Sequence, residues 1–215
     1  MTDFFDFLHN LTDPVWIMDN GGLYLLLFIV FIETGILLGF FLPGDPLLFI
    51  TGIILANNTL TEVNPVVSLL YWVLLISIAG ILGNFLGYWT GNRSGKILLQ
   101  RKDSLFFKKK YITQAQEFYE KKGGSAIVLA RFMPIVRTFA PIVAGIVKMD
   151  LRKFSIFNII GSFLWVGVLV TAGFLLGENE WIKNNLEKII FLIVAIATTP
   201  VIVKIIKGRL RKKTA

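Results

Sequence analysis

The chain has 215 residues, 55% of them hydrophobic and 17% charged, with a mean hydropathy of +0.70 and a net charge of +8. A soluble domain averages about 25% charged residues and lacks repeated apolar runs of about 20 residues, so the composition indicates an all-α polytopic membrane protein with a single membrane domain. The absence of cysteine excludes disulfides and thiolate metal sites. With His9 as its one histidine, the chain cannot supply the two histidines of a histidine-dependent lipid phosphatase. We therefore expect no metal, no cofactor and no enzymatic activity.

The basic residues are distributed unevenly. All 22 Lys and Arg residues occur at position 93 or later, and they concentrate at 93–122, 148–153 and 204–213. In a membrane protein such clusters mark the cytoplasmic side, where they meet anionic lipid, so we do not expect nucleic-acid binding. The distribution predicts a multi-pass protein with an external N-terminus and a cytoplasmic C-terminus.

The first part of the chain predicts an interfacial helix followed by a broken apolar unit. Residues 1–20 have amphipathic spacing, and the apolar run 23–56 is interrupted by Pro43-Gly44-Asp45-Pro46. The arm after this break, 47–56, has about half the length that a membrane span needs. We therefore predict a re-entrant hairpin that turns at Pro43, Gly44 and Pro46.

The middle of the chain predicts one span and one surface helix. Residues 66–91 are apolar over a full membrane thickness, with Ala79, Gly83, Gly87 and Gly91 on one face. We interpret this face as a packing surface, and it would suit an oligomer as well as internal contacts. The basic segment 92–122 predicts an amphipathic helix lying on the cytoplasmic surface.

A second broken unit follows at 125–147, with Pro134 and Pro141 as its breaks. We expect a new helix to begin at 138–140, with Pro141 in its first turn. Residues 154–177 and 189–206 predict further spans, so that 179–215 holds the final span and a basic tail. Interfacial helix, broken hairpin and long span thus occur twice: in the first repeat, 1–91, and in the segment 92–122 followed by the second repeat, 123–178. This order predicts an inverted repeat.

The two predicted hairpins carry opposite charges. Glu33 and Asp45 lie in the first, and Arg131 and Arg137 in the second. Each is costly in a bilayer, so we expect acids and arginines to neutralise one another. Two guanidinium groups beside a helix N-terminus form an anion site that suits phosphate. The residues leave open whether the four charges form a structural lock or an anion or proton pathway.

Three segments carry a resemblance to a known family: Glu33 with "PGDP", "GNFLGYWTGNRSG" and "ARFMPIVRTFAPIVAG". Over residues 25–178 the chain resembles the bacterial DedA family, also called the SNARE-associated or VTT-domain superfamily. The resemblance implies inner-membrane proteins with inverted re-entrant hairpins that transport lipids, by undecaprenyl phosphate recycling in some members and phospholipid scrambling in relatives. It also implies dependence on the proton-motive force and a functional requirement for the matched acids and arginines. Asn84 departs from the family, because many members have aspartate there, and this puts proton coupling in question.

The predicted function is a flippase for a lipid phosphate, with membrane lipids and protons as its partners. The predicted phosphate-binding residues are Arg131, Arg137 and Thr138; the predicted ion pair or proton relay is Glu33 with Asp45; the secondary candidates are Asn84 and Tyr88. The alternatives are a proton-coupled antiporter of small cations or cationic drugs, and a structural adaptor that moves nothing. The sequence leaves open the physiological lipid, the transport direction, the coupling ion and the oligomeric state.

Overall fold

A computed structural model describes residues 14–36, 44–56, 64–100, 119, 123–177, 179, 185 and 188, and these are helical almost throughout. Within these ranges lie six helices of at least seven residues: α1 (Pro14–Gly35), α2 (Gly44–Ala56), α3 (Pro65–Gln100), α4 (Ser125–Arg131), α5 (Pro134–Ile146) and α6 (Leu151–Leu176). The predicted surface helix 1–20 lies in part, and the predicted final span 189–206 entirely, outside the described residues.

Two helices are long and apolar enough to cross a membrane, α3 over Pro65–Gly95 and α6 over Leu151–Leu176. Both keep large apolar side chains exposed along their length, as contact with lipid requires. The prediction that a separate surface helix begins at residue 92 is wrong, because α3 runs unbroken to Gln100. No proline interrupts this stretch, and Gly91 and Gly95 pack against α5 instead of ending the helix.

The first broken unit forms α1 and α2. Helix α1 is kinked at Gly22 (φ 56°, ψ −154°) and α2 begins at Gly44. Gly44 and Pro46 therefore lie in the first turn of α2, where a proline removes no helical hydrogen bond, whereas Pro43 is outside the described residues. At about 1.5 Å per residue α2 spans about 20 Å, short of the roughly 30 Å hydrocarbon core. The re-entrant path itself stays a prediction.

The second broken unit forms α4 and α5, separated by Phe132 and Met133. Met133 is extended (φ −115°, ψ 105°), as the residue before a proline tends to be, and Pro134 opens α5. The prediction that a helix starts at 138–140 is therefore wrong, and Pro141 lies inside α5. It packs against Gly87 of α3, where an added Cβ would come within 3.3 Å of the proline ring.

The two halves exchange their short helices. Helix α2 packs mainly on α6 of the other half, and α5 packs mainly on α3, while α1 contacts α3 and α4 contacts α6. Helices α3 and α6 run antiparallel, since the Ser162 hydroxyl donates to the Ser77 carbonyl at 2.9 Å and the Asn158 amide donates to the Ile81 carbonyl at 3.2 Å.

Both exchanged crossings use glycines in the same register. At each of four glycines an added Cβ would collide with a backbone carbonyl of the helix that it crosses. The glycines form two crossing pairs, Gly91 with Gly145 and Gly52 with Gly173. In each pair, the carbonyl that one glycine approaches belongs to the residue three positions before the other glycine. The carbonyls are those of Ile142 for Gly91, Tyr88 for Gly145, Phe49 for Gly173 and Val170 for Gly52. The packing geometry thus repeats between the halves, and the inverted orientation in the membrane remains a prediction.

Two apolar clusters fill most of the described interior, beside a small one at Ile142 and Ile146 of α5. The larger joins α1, α2, α3 and α6 and includes Leu26, Leu48, Ile76 and Val166. The smaller contains Tyr88, Ile127, Ala144 and Phe154, at the other end of α3 and α6. A group of buried polar and charged side chains accompanies these clusters, and it forms the candidate site.

Candidate functional site

One arginine connects both carboxylates. Arg137, the fourth residue of α5, donates through Nη2 to Oε1 of Glu33 in α1 and through Nη1 to Oδ1 of Asp45 in α2. The side chains of Glu33 and Arg137 are 1% and 6% exposed, whereas that of Asp45 is 18% exposed. A single guanidinium therefore holds three helices together, and Asp45 is the most exposed of the three side chains.

The first turns of the two short helices meet at this ion pair. Asp45 is the second residue of α2, and Arg137 is in the first turn of α5. A helix N-terminus carries free N–H groups and a partial positive charge, so both short helices favour an anion here. Transporters use the N-termini of discontinuous helices in this way to hold anionic groups near the middle of the bilayer.

The second carboxylate oxygen of Glu33, Oε2, is also closely packed. An added Cβ on Gly44 would occupy the same space as Oε2 of Glu33. Oε2 has no hydrogen-bond partner among the described residues. Glycine at position 44 thus allows α2 to begin directly against a buried carboxylate.

Trp165 of α6 lies under the ion pair and was not predicted from the sequence. Its indole Nε1 donates to Oδ1 of Asp45 at 2.9 Å, so this oxygen accepts from both the indole and Arg137. The ring centre lies 4.8 Å from the guanidinium carbon of Arg137 and 5.9 Å from that of Arg131. Both distances are within cation–π range. A tryptophan in the middle of a span, away from the interfacial belts, was the signal that could have identified it.

Arg131 is held by amides and not by an acid of the first hairpin. It ends α4, and its Nη2 donates to Oδ1 of Asn158 at 2.7 Å and to the Gly80 carbonyl at 3.5 Å. Asn158 Oδ1 also accepts from Asn84 Nδ2 at 2.9 Å. Glu33 and Asp45 both contact Arg137 and neither contacts Arg131. The two acids are thus not divided between the two arginines.

The other predicted site residues, Asn84, Thr138 and Tyr88, lie in three different parts of the structure. Asn84 belongs to the amide group around Arg131, and Thr138 is buried next to Arg137 in α5. Tyr88 is away from the ion pair: its ring packs on Phe154 with centroids 4.6 Å apart, and its hydroxyl donates to the Met149 carbonyl at 2.5 Å. Tyr88 therefore connects α3 to the start of α6.

Helix α5 is also held by a polar contact from Tyr119, outside the spanning segments. The Tyr119 hydroxyl donates to the Ala140 carbonyl at 2.8 Å. Burial raises the pKa of the Tyr119 phenol, so the hydroxyl remains a donor at physiological pH. This bond ties the predicted cytoplasmic segment to the helix that carries Arg137.

Comparisons with known proteins give consistent matches. The VTT domain family matches residues 42–175, more than half of the chain. Protein DedA of Escherichia coli strain K12 is 39% identical over 187 residues, which cover 86% of this chain and 83% of that protein. An uncharacterized membrane protein of Mycobacterium leprae is 38% identical over 192 residues, with 88% and 82% covered.

A further relative is named for its location. The inner membrane protein YqjA of Escherichia coli strain K12 is 32% identical over 160 residues, covering 74% of this chain and 70% of that protein. No solved structure gives a significant match. The matched domain, 42–175, contains Asp45, both arginines and Trp165, and it begins after Glu33.

Proposed function

The chain belongs to the DedA family of VTT-domain membrane proteins, and from this premise we propose that it is a flippase for a lipid phosphate in the bacterial cytoplasmic membrane. We favour undecaprenyl phosphate as the substrate, with phospholipid as the second choice. We assign no enzymatic reaction to the chain.

The observation that carries this proposal is the buried Arg137 at the meeting point of two short helices. A guanidinium fork matches the oxygens of a phosphate, and the two helix N-termini add positive potential at the same place. Arg131 faces the same indole ring from α4, so a second guanidinium is close to the phosphate that Arg137 would bind. A purely structural ion pair would not need this second cation or the convergence of two helix ends.

The charges suggest how binding is coupled to protons. Glu33, Asp45, Arg131 and Arg137 sum to zero when all are ionised, so an incoming phosphate adds uncompensated negative charge. Protonation of one acid offsets that charge and releases a donor of Arg137 for the substrate. Asn84 cannot carry a proton in this way, and coupling in this chain therefore depends on Glu33 and Asp45.

The basic residues suggest which side of the site is cytoplasmic. The Tyr88–Met149 bond brings the C-terminal half of α3 to the start of α6. Arg93 follows Tyr88 in α3, and Arg152 and Lys153 lie in the first turn of α6. By the positive-inside rule this side faces the cytoplasm, in agreement with a cytoplasmic basic tail.

A cation antiporter has less support. It needs a carboxylate that can bind a cation, and both Glu33 and Asp45 contact Arg137. Such an antiporter would show cation-dependent proton flux in liposomes that contain no lipid phosphate.

The test is reconstitution of the purified protein in liposomes. Flipping of polyprenyl phosphate and of ordinary phospholipid is compared with and without a pH gradient. We expect polyprenyl phosphate to move faster, and Arg131→Ala and Arg137→Ala to reduce its movement to the rate of protein-free liposomes. Arg93→Ala, an exposed arginine stacked on Trp89, is the matched control and should retain the wild-type rate. Wild-type rates in both site variants would contradict the proposal.

A further inference from the structure

We infer that Arg137 and Trp165 form the seat of the substrate phosphate, and that Asp45 occupies this seat when no substrate is bound. Glu33 stays on Arg137 throughout. The inference rests on the proposed function, and it divides the roles of two acids that the sequence treats alike.

The surroundings of the two acids differ. Glu33 is fully buried, with one oxygen on Arg137 and the other against Gly44 at the start of α2. It has no room to leave without moving α2. The Asp45 side chain is 18% exposed and is on the accessible edge of the group. Asp45 is therefore the acid that an incoming anion can displace.

The donors that Asp45 leaves behind require a hydrogen-bond acceptor, and the charge of Arg137 favours an anionic one. Its Oδ1 accepts from Arg137 Nη1 and from Trp165 Nε1. Neither side chain has an acceptor atom, so only an oxygen with lone pairs can replace the carboxylate. A phosphate oxygen meets this requirement and gains a charge-assisted bond from the guanidinium. A cation gains nothing from either donor.

The indole also fixes the position of the guanidinium. Arg137 stacks on the ring at 4.8 Å while the edge of the same ring donates to Asp45. One side chain therefore sets both the orientation of the arginine and the second hydrogen bond of the seat. This makes Trp165 a binding residue in its own right.

The experiment measures binding of dodecyl phosphate to the full-length protein in detergent, by calorimetry and by tryptophan emission. Asp45→Asn and Glu33→Gln remove the same charge with little change of shape. We expect Asp45→Asn to bind about tenfold more tightly, because the competing carboxylate is gone, and Glu33→Gln to stay within about threefold of wild type. Asp150→Asn, at the exposed N-cap of α6, is the matched control without effect.

Trp165→Phe keeps an aromatic ring but removes the N–H. We expect it to weaken binding about threefold to tenfold and to abolish the emission change that dodecyl phosphate causes in the wild type. Trp72→Phe, a buried tryptophan of α3 that packs on Tyr24 and Tyr71, should keep both. Gel filtration and thermal midpoints establish that each variant is folded, so that a loss of binding reports the seat.

The outcomes separate this inference from the proposed function. Wild-type protein that does not respond to dodecyl phosphate would overturn both. A normal wild-type response that is unchanged in Asp45→Asn and Trp165→Phe, or that Glu33→Gln strengthens as much as Asp45→Asn, would overturn the seat alone. An equal response to inorganic phosphate would support the seat and overturn a lipid headgroup as its occupant.

Discussion

Replacing Arg137 by methionine tests whether the buried ion pair is a lock, a transport site, or both. The change keeps an unbranched, flexible side chain but removes the cation that Glu33 and Asp45 share. Breaking a buried ion pair by removing one partner costs about 3–5 kcal/mol, because the remaining charge is left in the apolar interior. Asp45 keeps its bond from Trp165 and some exposure, so we expect the lower end of that range, about 3 kcal/mol.

The assay for this loss is thermal unfolding in detergent. In a chain of this length 1 kcal/mol corresponds to about 2–4 °C, so the midpoint of Arg137→Met should fall by about 10 °C. The control is Arg93→Met, which removes an exposed arginine that stacks on Trp89. Its midpoint should change by no more than about 3 °C.

A triple variant without the ion pair then separates stability from transport. Combining Arg137→Met with Glu33→Gln and Asp45→Asn removes both carboxylates together with their shared cation and leaves Arg131 on its amide partners, so much of the lost stability should return. Flipping of polyprenyl phosphate in liposomes should nevertheless stay at the background rate, because the phosphate has lost its guanidinium. A triple variant that flips the lipid at the wild-type rate would refute the reasoning and leave the ion pair as a structural lock.

Three further substitutions test the packing around the site. Gly91→Ala places a methyl group on a backbone carbonyl of α5 and should lower the thermal midpoint by several degrees, whereas Gly167→Ala, in open space, should leave it unchanged. Asn158→Leu removes the amide that orients Arg131 and should reduce flipping in the liposome assay about tenfold or more. Gel filtration should show a yield of folded protein close to that of the wild type. Gly44→Ala drives a methyl group into the buried carboxylate of α1 and should lower both the midpoint and the flipping rate; a variant indistinguishable from wild type would contradict the confinement of that carboxylate.

The broken apolar units were predictable because their breaks depend on local chemistry. Pro46 and Pro134 cannot lie in a helix interior without loss of a hydrogen bond, so each marks the first turn of a short helix. Helices α4 and α5 accordingly lie within the predicted range 125–147. The position of Pro141 inside α5 was not predictable in the same way. A helix interior accepts a proline when its surroundings compensate, and here Gly87 of the crossing helix leaves room for the ring.

The pairing of the charges could not be predicted, because it depends on the rotation of one short helix against another. Sequence spacing placed two acids opposite two arginines, but the link at Phe132 and Met133 turns Arg131 towards the amides of α3 and α6. Asn158 and Trp165 were not predicted as site residues for a related reason. A single amide or indole within an apolar span has no periodic pattern, and its role follows from the partners that the fold brings to it.

The distribution of charge between the halves constrains how this protein can be assembled. Both acids, Glu33 and Asp45, lie in the first half, whereas both arginines and Trp165 lie in the second. Every hydrogen bond that Asp45 accepts within the ion pair comes from the second half, and the short helix that carries it packs on α6. Neither half can neutralise its own buried charges, and each would hold two like charges in an apolar environment if it folded alone. The ion pair is therefore a contact between halves, and a ligand that displaces Asp45 from Arg137 acts directly on the junction between them.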